Sequence, residues 1–467
     1  MDSGQMRTES DSMGPMQVPT AALWGAQTQR AIENFPISGY RFGRPFIRAL
    51  GLIKQGAAEV NGALGLLDAP RRGWIVPAAG EVAEGAWDEH FVVDVFQTGS
   101  GTSTNMNANE VIANRAIQLA GGTVGSRAPV HPNDHVNMGQ SSNDVIPTAM
   151  HVAAGVAIHE DLIPALGALE ETLARKAAAF HDIIKVGRTH LQDATPIRLS
   201  QEVGGWAAQV RGCAERAERA IASMRELALG GTAVGTGINT HPEFGRRMAA
   251  YLSERTGLDF VEARNHFEAQ SAKDGACEAS GQLRAIAVAL TKVANDVRWL
   301  ASGPRCGIGE LILPATQPGS SIMPGKVNPV MSEMLIQVAA QVIGNDTAVM
   351  LGARDSLFEL NVMMPLIARN LLESVRLLTN AVRVFTDRCA AALAADPERC
   401  RQLIEQSLAM CTRLAPVIGY DRAAAIAKKA FETGRTVREV ALADGVCDAR
   451  RLADLLDPAK MTEPQAQ

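Results

Sequence analysis

Apolar side chains recur at three- and four-residue intervals over much of the 467-residue chain, the spacing that lines them up on one face of an α-helix. Leu162, Leu166, Leu169 and Leu173 make one such stripe, and Val203, Trp206, Val210, Cys213, Ala217, Ile221 and Met224 make another. Leu283, Ile286, Leu290, Val293, Val297 and Leu300 repeat as the a and d positions of a heptad. Leu371, Val375, Leu378, Val382 and Phe385 do the same, and Met331, Leu335, Val338 and Val342 add a further seam. Seams of this period pack helices roughly 20° from parallel, so residues 150–390 are expected to form a long helical bundle.

Outside the bundle the pattern is weaker. Residues 1–20 are polar and aperiodic, which predicts a tail whose first dozen residues are disordered. Helical stretches are expected over 44–90, broken at Asp68-Ala69-Pro70 and again at Arg72-Gly73. After Pro397, short helices are expected at Leu403–Leu414, Ala423–Phe431 and Asp448–Leu456. The chain therefore reads as an all-α protein of three domains: a mainly helical one over 1–140, the central bundle over 141–395, and a small helical one over 396–467. Scarce aromatics and abundant alanine, which lets helices approach closely, favour the same class.

Charge narrows the choice of partner. The net charge is −5 with acids and bases interspersed, and there is no long basic run, so neither a nucleic-acid footprint nor a membrane-surface patch is expected. No uninterrupted apolar stretch reads as long enough to span a bilayer. The seven cysteines (213, 277, 306, 389, 400, 411 and 447) contain no C-x-x-C pair, which argues against a disulfide framework or a zinc site and fits a reducing cytoplasm. Three acids in the first eleven residues, with no apolar run, predict neither a secretory signal nor an Arg-rich transit peptide. The expected partner is small.

Candidate chemistry sits in polar loops. Gly319-Ser320-Ser321-Ile322-Met323-Pro324-Gly325-Lys326-Val327-Asn328-Pro329 packs hydroxyls, an ammonium and an amide between two prolines, a donor-rich loop suited to an anion. A Walker A loop needs four residues between its glycines and Ser or Thr after the lysine; here five intervene and Val327 follows, so a carboxylate fits better than a nucleotide. Gln97–Asn105 is a second such loop, ahead of the helical run from Asn107. Either its N–H groups receive an anion at that helix's start or the helix is simply capped. His131-Pro132-Asn133-Asp134 and Ser141-Ser142-Asn143 form a third cluster. Its His and Asp residues lack the i,i+4 spacing of two-His metal motifs, and its serines read either as an N-cap or as a second carboxylate contact. Two further breaks are Gly187–Pro196, which carries Thr189 and His190 in a polar turn, and Gly230–Asn239. The glycines of the second lack the G-x-G-x-x-G spacing and a preceding strand, so a close helix crossing is expected there.

Hydroxyls, amides, one lysine and one histidine, with no acidic pair and no metal set, bind carboxylates and move protons; redox, phosphoryl-transfer and two-carboxylate glycosidase machinery is missing. Proton abstraction beside a carboxylate, without metal or cofactor, fits that inventory. The loop Gly319–Pro329 matches the GSSxMPxKxNP signature of the fumarase/aspartase superfamily. TGSGTSTNMNANEVIANR, HPNDHVN, QSSND, GRTHLQDATP and GGTAVGTG resemble its class II fumarate hydratase branch, and matching runs extend from Trp24 to Asp421.

The resemblance implies an all-α fold in three domains and a homotetramer whose helices share a common core, with each active site drawn from three subunits. It implies reversible hydration of fumarate to (S)-malate in the cytoplasm. By the same resemblance Ser320 is the base at C3, and Thr189 and His190, with Glu333 behind the imidazole, handle the water or hydroxide at C2. Lys326 and Asn328 stabilise the aci-carboxylate, and Ser100, Gly101, Thr102, Ser141, Ser142, Asn143 and Ser321 hold carboxylates. His131, Asn133 and Asp134 match the family's secondary anion site, although Ala128 stands where a basic residue is common. Met138-Gly139 also departs from the common Lys-Ser. Aspartate ammonia-lyases read Gln, Thr and Ala at the positions of His190, Ser142 and Gly325, so the hydratase is the first reading. Aspartate deamination and a non-catalytic helical scaffold are the alternatives.

Overall fold

The computed structural model describes residues 4–464 and is 62 % helical. The helical seams are where the side chains are buried. Leu166, Leu169, Val203, Trp206, Val210, Leu283, Ile286, Leu290, Val293, Leu371, Leu378 and Phe385 have no accessible surface. Two departures are small rotations: Ala220 rather than Ile221 is buried, and Ala339 rather than Val338.

The chain begins with an antiparallel hairpin, β1 (Met6–Asp11) and β2 (Gly14–Pro19), where polar composition predicts disorder. Its polar side chains are the ties that order it. Arg7 donates to the carbonyls of Pro19, Ala22 and Trp24 at 2.8, 2.7 and 2.7 Å, and Arg30 grips Asp11 at 2.8 and 2.9 Å. Next come α1 (Ala26–Asn34), α2 (Arg44–Ala63) and α3 (Ala69–Glu84). Asp68 caps α3 by accepting from Arg71 N at 2.9 Å, as the Asp-Ala-Pro sequence predicts. The break expected at Arg72-Gly73 is absent. A glycine inside a helix costs only about 1 kcal/mol, and α3 packs so closely on α2 that a Cβ at Gly51 would lie 2.5 Å from Ala83 N.

Further along lie α4 (Thr102–Leu119), a π-turn at Pro132–Val136, α5 (Ser142–Ala157) and α6 (Ile163–Ala179). A second hairpin, β3 (Ile184–Thr189) and β4 (Gln192–Arg198), precedes α7 (Leu199–Ser223). The parallel pair β5 (Glu226–Leu227) and β6 (Val261–Glu262) flanks α8 (Phe244–Thr256), and α9 (His266–Ser271) leads into α10 (Asp274–Leu300). Then follow β7 (Leu311–Ile312), α11 (Val330–Arg354), the short pair β8 (Ser356–Leu357) and β9 (Leu360–Asn361), α12 (Met364–Arg388) and β10 (Ala394–Ala395), which pairs with β7. The C-terminal helices are α13 (Pro397–Gln406), α14 (Ala415–Ile418), α15 (Tyr420–Thr433), α16 (Val437–Ala443) and α17 (Ala449–Leu455).

The chain divides into two compact units, one of Met1–Pro164, Glu215–Ala287 and Ala340–Thr379, the other of Ala165–Ala214, Val288–Ala339 and Asn380–Gln467. Every switch between them falls within a helix. In the second unit Val186 of β3 is buried with Ile404, Met410, Leu414, Ile426, Val440 and Leu452, so the hairpin is rooted in the C-terminal helices' core.

Two helical runs, Ser142–Ala179 and Val330–Arg354, reach mean hydropathies of 1.4 and 1.3 and are long enough by composition to cross a bilayer, contrary to the sequence reading. Alanine, valine, isoleucine and leucine raise the average without making an unbroken apolar run. The α11 run carries buried polar groups bonded inside its own unit: Asp346 accepts from Ser280 Oγ and Arg284 at 2.7 Å each, and Asn345 donates to Ser374 Oγ at 3.2 Å.

Candidate active site

In the first unit, the loops before α4 and α5 meet. Ser100 Oγ lies 2.7 Å from Thr102 Oγ1, which lies 2.8 Å from Ser142 Oγ, so three hydroxyls separated by up to 42 positions in the chain form one chain of hydrogen bonds. Gly101 makes this geometry accessible. Its φ of +71° is left-handed, and a Cβ there would sit 2.9 Å from Ile146. Ser141 caps α5: its Oγ accepts from Asn143 N at 3.3 Å and its N–H donates to Asp144 at 2.8 Å, a capping box that leaves the hydroxyl proton free to donate. Asn143 donates from Nδ2 to Ala233 O at 2.8 Å. The N-termini of two helices, with their positive dipole ends, thus stand beside these hydroxyls.

Beneath the loops lie two buried charges that the sequence reading did not single out. Lys54 of α2 donates to Asn105 Oδ1, Asn137 Oδ1 and Gln140 Oε1 at 2.8, 2.9 and 2.9 Å. Burial brings its ammonium down to about 7, with the Asp144 charge pulling the other way. Burial raises the Asp144 carboxyl to about 7, although it accepts from Ser141, Thr232 and Gly230 N–H groups at 2.8, 2.9 and 3.1 Å. The Gly230–Asn239 loop is the close crossing its glycines predict: a Cβ at Gly231 would fall 2.0 Å from Gln270 Oε1.

The His131–Asp134 cluster is a capped turn. His131 Nδ1 accepts from the N–H groups of Asn133 and Asp134, both at 3.2 Å, and the His131 N–H donates to His135 Nδ1 at 2.8 Å. The Asn133 and Asp134 side chains are exposed.

In the second unit, Thr189 and His190 sit not in a helix break but at the tip of the β3–β4 hairpin, where Thr189 pairs with Gln192. The two turn residues, His190 and Leu191, have φ of +56° and +59°, the pattern of a type I′ turn that ordinarily takes Asn-Gly. Non-glycine residues there carry strain of order 1 kcal/mol each, which the surroundings must hold. Arg188 does so from below, forking onto the fully buried Glu310 at 2.8 and 2.9 Å. Lys185, also buried, bonds Glu202 at 3.1 Å and Glu310 at 3.3 Å. Burial acts to lower the Arg188 guanidinium, but its hydrogen bonds and charge contact with Glu310 hold it above its usual value.

The loop 319–329 is closed on itself. Gly319 N donates to Lys326 O, and Asn328 Nδ2 donates to Gly319 O, both at 2.8 Å; a Cβ at Gly319 would lie 2.6 Å from Lys326 O. Ser320 Oγ accepts two backbone N–H groups, from Met323 at 3.1 Å and Ile322 at 3.3 Å. Two amide dipoles aimed at one hydroxyl oxygen favour its charged form. A cleft of about 430 Å³ opens here, lined by Thr316, Gln317, Ser320, Met323 and Lys326. Ser321 and Lys326 are exposed, and Asn328 serves as a brace. Among the described residues, no hydrogen bond or ion pair joins Glu333, in the first turn of α11, to His190.

Comparison with known proteins places this geometry. The "Lyase" family model matches residues 14–344, and the "Fumarase C C-terminus" model matches 410–463. The chain is 54 % identical to a class II fumarate hydratase of Nitrosomonas europaea, covering 98 % of this chain and 99 % of that one. It is 56 % identical to one of Halobacterium salinarum, over 98 % of each. The crystal structure of the recombinant class II fumarase of Schistosoma mansoni superposes with a TM-score of 0.96 at 38 % identity, covering 99 % of this chain and 100 % of that one. With its signature loops intact from end to end, the chain belongs to the class II fumarate hydratase family.

Proposed function

We propose that the protein interconverts fumarate and (S)-malate, with Ser320 as the base. The observation that carries the role of Ser320 is the pair of N–H groups directed at its Oγ. A serine hydroxyl is a weak base unless its alkoxide is stabilised, and these donors supply that stabilisation. The alkoxide takes the proton from C3 of malate, and the C3 electrons move onto the adjacent carboxylate as an aci-carboxylate held by Lys326, Asn328 and loop amides. As the C2–O bond breaks, Thr189 and His190, with Glu333 behind the imidazole, deliver a proton to the departing hydroxide, and water and fumarate leave. Ser100, Gly101, Thr102, Ser141, Ser142, Asn143 and Ser321 hold the carboxylates, and His131, Asn133 and Asp134 form an auxiliary anion site.

The family resemblance implies an active site drawn from three subunits, so the working form is a homotetramer in the cytoplasm, built of domains 1–140, 141–395 and 396–467. Exposed apolar side chains on the long helices support this reading: Val288 and Trp299 on α10, and Ile343, Met350 and Leu351 on α11, are between 39 % and 56 % exposed in the single chain. The test follows the ultraviolet absorbance of the fumarate double bond with malate and then with aspartate, in the parent protein and in Ser320→Ala. Signal with malate, and a loss of at least about a hundredfold in the variant, is the expected result. Signal from aspartate alone overturns the hydratase reading, and full malate activity in Ser320→Ala overturns the base.

A further inference from the structure

Lys54 is an anomaly that the chemistry above does not use. Its side chain has no accessible surface, yet it makes no ion pair among the described residues; its three N–H bonds are all spent on neutral amide oxygens. A buried ammonium without a carboxylate in contact is costly, and a methionine would fill the same space on α2 at lower cost. Its three acceptors all lie in the two segments that carry the hydroxyl cradle. Asn105 is in the first turn of α4, three residues after Thr102, and Gln140 immediately precedes Ser141. Asn137 ties the segments to each other, accepting from Asn105 Nδ2 and Asn109 Nδ2 at 3.2 Å each and donating to Gln140 O at 3.1 Å.

The cradle itself offers only neutral donors: the hydroxyls of Ser100, Thr102 and Ser142 and the ends of two helices. Asp144, the acid nearest in this network, is held by three backbone N–H groups and is kept protonated up to about 7 by burial, so below that pH it does not offset Lys54. We propose that Lys54 is a positioning residue for substrate binding: through Asn105, Asn137 and Gln140 it fixes the two cradle loops in register and places a buried positive charge behind a site for a dianion. The inference rests on the cradle holding a substrate carboxylate.

The decisive variant is Gln140→Glu. It is nearly isosteric, keeps the bond to Lys54 and neutralises the charge behind the cradle, but it turns a carboxylate oxygen toward the Val136 and Met138 carbonyls to which Gln140 Nε2 donates at 3.1 and 3.2 Å. Gln140→Met, which loses those two bonds without adding a charge, is therefore measured beside it. A single charge on the order of 10 Å away in a protein interior changes anion binding about tenfold. Steady-state kinetics on the assembled enzyme are therefore expected to show KM for fumarate about tenfold higher in Gln140→Glu than in Gln140→Met, with kcat within about threefold, while the melting temperature falls in both. Lys54→Met is expected to raise KM similarly, and where it fails to fold, Gln140→Glu decides alone. Thr102→Val, which removes a cradle hydroxyl directly, is measured in parallel. If Thr102→Val raises KM and Gln140→Glu stays within twofold of Gln140→Met, Lys54 is only a structural tie and the proposal fails while the cradle stands. If neither moves KM, the cradle reading falls and the proposal with it.

Discussion

Glu310 offers the sharpest test of how the hairpin is held. Its carboxylate is fully buried, accepts both guanidinium N–H groups of Arg188, and stands 3.3 Å from Lys185, which also pairs with Glu202. Two cations face two carboxylates, so the cluster is neutral. Glu310→Gln leaves it with one uncompensated buried positive charge and turns an amide N–H₂ toward a guanidinium. Breaking a buried pair from one side costs about 3–5 kcal/mol. Arg188→Gln leaves the opposite excess and a comparable loss. The double variant restores neutrality through Lys185 and Glu202, so its loss should fall short of the sum of the singles by about 2 kcal/mol. Urea unfolding followed by far-ultraviolet circular dichroism reads these differences from midpoints and slopes. Because Arg188 directly precedes Thr189 and His190, kcat in Glu310→Gln should drop more than KM rises, the mark of lost transition-state positioning. A Glu310→Gln protein within 1 kcal/mol of the parent, or strict additivity in the cycle, would refute the clamp.

Two other outcomes follow from buried or exposed groups. Asp144 is held protonated up to about 7 by burial, whereas an unfolded aspartate ionises near 3.8. Between those values the unfolded state releases a proton that the native state keeps, so stability contributed by the neutral carboxyl falls as pH rises from about 4 to 7 and is flat above, by as much as about 4 kcal/mol. Asp144→Asn should flatten that stretch of the stability-versus-pH curve, and an unchanged slope would show that Asp144 does not set it. Met350→Glu places a charge on the exposed apolar face of α11 and should shift the protein to smaller species on size-exclusion chromatography, with malate activity lost in parallel; a fully active variant of unchanged size would place the assembly face elsewhere.

The seams on α7, α10 and α12 were legible because a heptad survives wherever a helix buries one face continuously; Val203 to Ala217 and Leu371 to Phe385 are buried as their spacing requires. The donor-dense loops were legible by composition, since Ser100, Thr102 and Ser142 are residues that a packed helix rarely clusters. The hairpin at Thr189 was not, because its turn is His190-Leu191 and lacks the Asn-Gly that announces a type I′ turn. The N-terminal hairpin escaped for another reason. Its order comes from Arg7 and Arg30 reaching across the fold, which no local pattern records. Lys54 did leave a trace: it follows Leu50 by four and precedes Ala57 and Ala58 by three and four, all buried, so a charge stands on the apolar face of α2. Glu310 left none, being a lone acid whose partner lies 122 positions away.

The division of the chain has a consequence for biogenesis. The first unit is assembled from three separated segments, the last ending at Thr379, and the second needs residues up to the C-terminal helices. Neither can close while the nascent chain is short, so the apolar seams of α6, α7 and α10 leave the ribosome before the last segments of their units. Contacts between segments far apart in the sequence, which each unit needs in order to close, form slowly and leave apolar surface exposed in the meantime. Refolding yield is therefore expected to fall as protein concentration rises, because the exposed helices of unfinished molecules meet one another before their own chain closes.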